Sequence, residues 1–128
     1  MCAQPPHQAR LCLFRVDSPH PVRDHIRAGD VLPLERGAGG RVLSAFGAGN
    51  AAHRPSAEER RLYASIRADG YFAALGDRLD GVAGVSAPVF DAHGQIAAAL
   101  ILTLPEHRWQ ESHVAQVLAA ARRLSGQV

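Results

Sequence analysis

Lysine is missing from this sequence: all fourteen basic residues of its 128 are arginine. Without lysine there is no Schiff-base nucleophile, no Walker lysine on a phosphate chain and no lysine general base. Cysteine is scarce as well. Cys2 and Cys12, with nine residues between them and no C-x-x-C, are too few for a disulfide scaffold or a structural zinc site. Cys12 alternates with Leu11 and Leu13 and reads as a small packed side chain rather than a reactive thiol. Long apolar runs are lacking too, and no signal-peptide pattern follows Met1, so the expectation is a soluble, cytoplasmic chain without a membrane partner. Nor is there a dense stripe of one charge. The arginines interleave with acids, as in "EERRLYASIRAD", and the formal net charge is +2, which argues against direct nucleic-acid binding.

What is present suits one domain, spanning residues 1–128: 47% of the residues are hydrophobic, enough for a single modest core. "ARLCLFRV" (9–16) is rich in β-formers and closes at "DSPHP", a strand followed by a turn. "VRDHIRA" (22–28) alternates Val22, Asp24 and Ile26 against Arg23, His25 and Arg27, which predicts a second, antiparallel strand with one basic face. A helix is expected over about 38–47, after a glycine-rich turn. "RPSAEERRLYASIRADG" (54–70) carries a full set of helix signals: Ser56 as N-cap, Glu59 to complete a capping box, and Gly70 at the stop. Leu62, Tyr63 and Ile66 form its buried stripe. Val114, Val117, Leu118, Ala121 and Leu124 have the spacing of an amphipathic helix laid across a sheet.

Between these helices, "VAGVSAPVF", "DAHG" and "QIAAALILTL" (82–104) predict a hairpin whose turn leaves Gly94 free to take positive φ. With Phe90 opposite Gln95, one face pairs Val89 with Ile96, Val85 with Leu100 and Ala83 with Leu102. The other face pairs Pro88 with Ala97, Ser86 with Ala99, Gly84 with Ile101 and Val82 with Thr103. That second face is small. Such a face either accepts a closely packed element or subunit, or leaves room for a ligand, with Ser86 and Thr103 as hydroxyl donors.

"LERGAGGRVLSAF" (34–46) raises the possibility of a phosphate cradle, because a glycine turn feeding a helix presents unpaired N–H groups to an anion. The nucleotide version fails on chemistry. "GAGGRV" has Val42 where G-x-G-x-x-G needs its third glycine, no βαβ unit surrounds it, and there is no Lys-Ser/Thr pair. "GVSAP" is not G-x-S-x-G, since Pro88 takes the last position and continues a strand. Histidines 20, 25 and 93 lie near Asp17, Asp24 and Asp91 without metal-ligand spacing, so no metal and no cofactor are expected.

The order of these pieces resembles the C-terminal effector-binding domain of IclR-family transcriptional regulators. The resemblance rests on "LCLFRVDSPHPVRDHIRAGDVLPLERGAGGRVLSAF", "GY" at 70–71 and "GVAGVSAPVFDAHGQIAAALILTLPEHR". Pro33, Leu34, Gly40 and Arg41 stand where that family has a proline-hydrophobic pair and a Gly-Lys-like pair, and Ala87 to Gly94 matches its "aaPVFD-x-x-G" signature. The resemblance implies an α/β (α+β) fold of the GAF-like kind, a curved antiparallel sheet with helices on one side and a small-molecule pocket on the other. It implies a ligand-sensing domain that does no catalysis, forms dimers or tetramers, and signals to a separate winged-helix DNA-binding domain expected to be absent from this chain, together with the family's usual first helix and strand.

Carried over by position, the implied pocket falls on Asp24, Ala38, Gly39, Val82, Gly84, Ile101 and Thr103. Gly84, Ile101 and Ala74 stand where some relatives have polar or acidic side chains, which favours a larger, partly apolar ligand over a very small polar acid. A carboxylate held by the N–H groups of 38–40, with Arg23 or Arg36 as a clamp, is the expected effector. The same arginines would serve equally as solvated surface groups or as partners of Glu35 or Asp24. Two other classes compete: an enzyme using Cys12 or His25, and an interaction module whose small face is closed by a partner chain.

Overall fold

The computed structural model describes residues 1–3, 9–12, 16, 27–33, 37–47, 55–76 and 80–127. Its strands are β1 (Cys2–Ala3), β2 (Ala9–Cys12), β3 (Val31–Pro33), β4 (Phe72–Leu75), β5 (Val82–Phe90) and β6 (Ile96–Pro105). The helices are α1 (Ala38–Phe46), α2 (Ala57–Asp69) and α3 (Ser112–Leu124), with a 3-10 turn at Glu106–Arg108. One antiparallel sheet runs in the order β3-β2-β1-β6-β5-β4.

Local chemistry explains the elements that the sequence signals. Ser56 Oγ accepts from the Glu59 N–H at 3.1 Å and Glu59 Oε1 accepts from the Ser56 N–H at 3.0 Å, a complete capping box at the start of α2. Gly70 closes that helix in the left-handed region, its N–H reaching Ile66 O at 2.8 Å. At the hairpin turn Asp91 Oδ1 accepts from the N–H groups of His93 and Gln95, and Gly94 takes φ +76°.

Three features depart from the sequence expectation, and one expectation falls outside the described residues. Strands β1, β3 and β4 are additional; each has four residues or fewer, too short for a period-two pattern to show. The expected strand over 22–28 lies outside the described residues except for Arg27 and Ala28. Those two enter a turn in which Asp30 N–H reaches Arg27 O and Gly29 N–H reaches Cys12 O.

The hairpin register is also corrected. Phe90 faces Ile96 rather than Gln95, and beyond an irregularity at Val89 and Phe90 every partner moves by two: Val89 faces Ala98, Ser86 faces Ile101, Gly84 faces Thr103 and Val82 faces Pro105. A remote element is tied to this corner, since Phe90 N–H donates to Ser125 Oγ at 3.1 Å and Phe90 O accepts from the Gly126 N–H at 2.8 Å. A slip of two residues keeps each side chain on its face, so the small face survives the correction.

Helices cover both faces rather than one. Val85, Ala87, Val89 and Ala98 pack with Val117 and Ala121 of α3. On the opposite face Cys2, Cys12 and Ala99 pack with Val42, Leu43 and Ala45 of α1 and with Tyr63 and Ile66 of α2. Arg67 Nη1 donates to Ala45 O at 2.9 Å, joining α2 to the end of α1.

Candidate functional site

The small face of the hairpin meets the first turn of α1, and glycine sets how close they come. A Cβ on Gly39 would fall on Ile101 Cδ1 and Arg10 Nη1, and within 2.8 Å of Ile101 Cγ1. The helix backbone therefore rests directly on these two side chains, and any larger residue at 39 would have to displace them. Gly84 lies beside it more loosely: its Cβ position is 3.5 Å from Ala38 Cβ and 3.9 Å from Thr103 Cγ2, ordinary contact distances.

Helix α1 begins without a side-chain cap and without an acidic residue in its first turn. Its first intrahelical bond is Arg41 N–H to Gly37 O at 3.2 Å, so the N–H groups of residues 38–40 precede the ladder, and the positive end of the helix dipole lies beside this face. Two polar side chains are buried on the same face. Arg10 is 2% exposed, and Ser86 is 0% exposed, its Oγ without a hydrogen-bond partner among the described residues. Leaving a buried hydroxyl unsatisfied costs about 1–3 kcal/mol, which marks Ser86 as a donor waiting for an acceptor.

Of the residues singled out in the sequence, Ala38, Gly39, Gly84, Ser86, Ile101 and Thr103 come together here. Val82 shares their face at its far end, opposite Pro105. Arg23, Asp24, His25 and Arg36 lie outside the described residues. Arg10 was missed, although a signal for it exists. It precedes Cys12 by two, so strand alternation puts both on one face, and Cys12 is the residue whose burial was expected. Cys12 itself is 4% exposed in the core opposite Cys2, and no disulfide joins the two. Burial raises the Cys2 thiol above its ordinary value of 9.0, with the Arg10 guanidinium pulling in the opposite direction. Tyr63 is likewise raised above 10.0, chiefly by burial. Among the described residues no cluster of His, Cys, Asp and Glu could hold a metal, and no helix is long and apolar enough to cross a membrane.

A six-stranded antiparallel sheet clasped by helices, with a glycine-started helix on a face of small residues, defines an α+β domain of the GAF-like kind. Residues 56–128 match the family model of the bacterial transcriptional regulator IclR C-terminal domain. The chain belongs to that family. It is similar over 97% of its length to an IclR-family regulator from a Rhodococcus species, at 29% identity and a TM-score of 0.84, covering 54% of that chain. HmgR of Pseudomonas aeruginosa is similar over the same share, at 28% identity and a TM-score of 0.88, with 56% of it covered. An IclR homologue from Microbacterium hydrocarbonoxydans, solved with 4-hydroxybenzoate, shares the fold at 24% identity and a TM-score of 0.84, with 97% of this chain and 57% of that one covered. The chain thus spans about half the length of these three regulators. No curated protein matches it significantly.

Proposed function

We propose that this chain is the sensing domain of an IclR-type transcriptional regulator. It binds a small carboxylate or aromatic metabolite between the start of α1 and the small face of β5 and β6. Binding modulates DNA contact by a separate winged-helix domain, in the cytoplasm, within a dimer or tetramer. The observation that carries this reading is the buried Ser86 hydroxyl, without a partner among the described residues, on the face against which the α1 N-terminus lies. The 4-hydroxybenzoate held by the Microbacterium homologue supplies a first probe. An enzymatic reading through Cys12 loses its support, because a nucleophilic thiol needs access that a core position denies.

Signalling requires the ligand to bind one arrangement of α1 better than another, since equal affinity for both shifts nothing. The test is a heteronuclear NMR titration with 4-hydroxybenzoate, benzoate and aliphatic acids. Amide shifts clustered at 38–40, 84–86 and 101–103 are expected. Shifts confined to other surfaces, or none with any acid, overturn the reading.

A further inference from the structure

Apart from any metabolite, we infer that Cys2 and Cys12 are a redox-active pair, an oxidation site at which a small disulfide installs a cross-strand bond beneath α1. They are the only two cysteines of the chain, and the fold sets them directly opposite each other on β1 and β2. The backbone decides what kind of pair they form. Cys12 N–H donates to Asp30 O at 2.9 Å and Cys12 O accepts from the Gly29 N–H at 2.7 Å, so both main-chain groups point away from β1. Cys2 and Cys12 therefore occupy a non-hydrogen-bonded site of the antiparallel ladder, where Cα atoms stand about 4.5 Å apart and side chains come closest. Disulfides span Cα separations of about 4.4–6.8 Å, and this site falls inside that range. The two thiols already meet, joined by a hydrogen bond between their side chains.

Both cysteines are buried and pack with Val42, Leu43 and Ala45 of α1. An oxidant reaches them through β1, a strand of two residues that meets β6 at one pair among the described residues, Cys2 with Ala99. So short a strand opens at low cost. Burial holds the proton on the Cys2 sulfur while the Arg10 guanidinium draws the other way, so opening, which lifts the burial, favours the thiolate. With glutathione disulfide as the oxidant, the Cys2 thiolate attacks one sulfur, breaks the S–S bond and forms a mixed disulfide, releasing one glutathione thiolate. The Cys12 thiolate then attacks the Cys2 sulfur, forms the Cys2–Cys12 bond and releases the second glutathione. Two protein thiols are oxidised, one small disulfide is reduced, and the two cysteine protons end on the glutathione sulfurs. Catalysis would need thiol access in every turnover, whereas a switch needs it once. Bonding draws the sulfurs to about 2.0 Å and withdraws volume from beneath Val42 and Leu43, to which a close-packed interior responds by moving α1.

The test equilibrates the chain, folded and in concentrated urea, with mixtures of reduced and oxidised glutathione, then blocks remaining thiols and reads the products by mass spectrometry. Trypsin cuts after Arg10, between the cysteines, so residues 1–10 and 11–15 stay joined only where the bond has formed. The folded chain is expected to form the intramolecular bond with an equilibrium constant at least about tenfold above that in urea, because the native register holds the sulfurs together. Amide exchange at Val42 to Ala45 should differ between the oxidised and reduced chains. A bond no more favourable in the folded chain than in urea, or glutathione adducts and linked dimers in its place, overturns the pair. A bond that leaves exchange across α1 unaltered overturns the switch. In Cys12→Ala the same mixtures should leave α1 unchanged; a change there assigns the effect to another oxidation and overturns the switch as well. The wild-type comparisons decide the matter by themselves if that variant does not fold. No arm involves a carboxylate ligand, so failure here leaves the sensing role standing.

Discussion

Gly39 and Gly84 are both glycines on one small contact, and the space around each separates their roles. Gly39→Ala must displace Ile101 or Arg10 and should destabilise the chain by about 1–3 kcal/mol, the usual cost of overpacking. Gly84→Ala meets neighbours at ordinary distances and removes chain entropy from the unfolded state, so it should be neutral or stabilising by about 0.5 kcal/mol. Urea melts of the two variants check this; equal losses would refute the tight seating of α1. Cys2 makes a second residue-scale prediction. Its thiol holds its proton more tightly folded than unfolded, so the stabilisation is complete below pH 9.0 and is lost as pH rises through the folded value. Tyr63 adds a further loss that begins above 10.0. Stability measured from pH 8 upward should fall less steeply in Cys2→Ala than in the wild type, and superimposable profiles would refute a burial penalty on this thiol. Sequence exposed these residues unequally. Gly39 was visible as part of a glycine run, whereas Arg10 was overlooked because an arginine in a strand is ordinarily a solvated side chain, and only its β-alternation with Cys12 points inward.

Helix α2 and the hairpin illustrate how much of an element is local. The capping box of Ser56 and Glu59 is written in four consecutive residues and forms as the pattern requires. Ser56→Ala should cost about 1 kcal/mol in a thermal or urea melt, with Glu59→Gln costing less because the amide still accepts. The hairpin is local in its turn but not in its register. Phe90 spends its N–H and C=O on Ser125 and Gly126, thirty-five residues away and more, and the ladder is irregular at that corner. Ser125→Ala should therefore weaken the hairpin corner as well as the end of α3, seen as faster amide exchange at Phe90 and at Gly126 together. Exchange that rises at the helix end alone would show that the two are not coupled.

For the molecule as a whole, α1 is the element whose position decides between a packed face and a ligand site. Its first turn meets β5 and β6 through glycine and small residues, its later turns pack Val42, Leu43 and Phe46 into the core, with Phe46 edge-to-face on Phe90, and it joins α2 through Tyr63, Ile66 and the Arg67 bond to Ala45. A ligand that enters beside Ile101 has to move α1, and α2 should move with it. Light scattering and amide exchange with and without 4-hydroxybenzoate are expected to show altered protection across α1 and α2, with α3 unchanged, since α3 packs on the opposite face. Equal changes in α3 would point to global loosening instead.

Period and capping signals, which are readable in windows of a few residues, determined the three helices, the hairpin and the small face, and these carried the family resemblance. Face membership even survived a register error, because strand alternation repeats every two residues and the error was two. Tertiary structure decided what the small face is for. Which element covers it, that α1 rests on Ile101 and Arg10, and that the Ser86 hydroxyl is sealed without an acceptor all depend on contacts between segments some thirty to ninety residues apart. No local pattern encodes such contacts, since they arise only when the chain closes on itself.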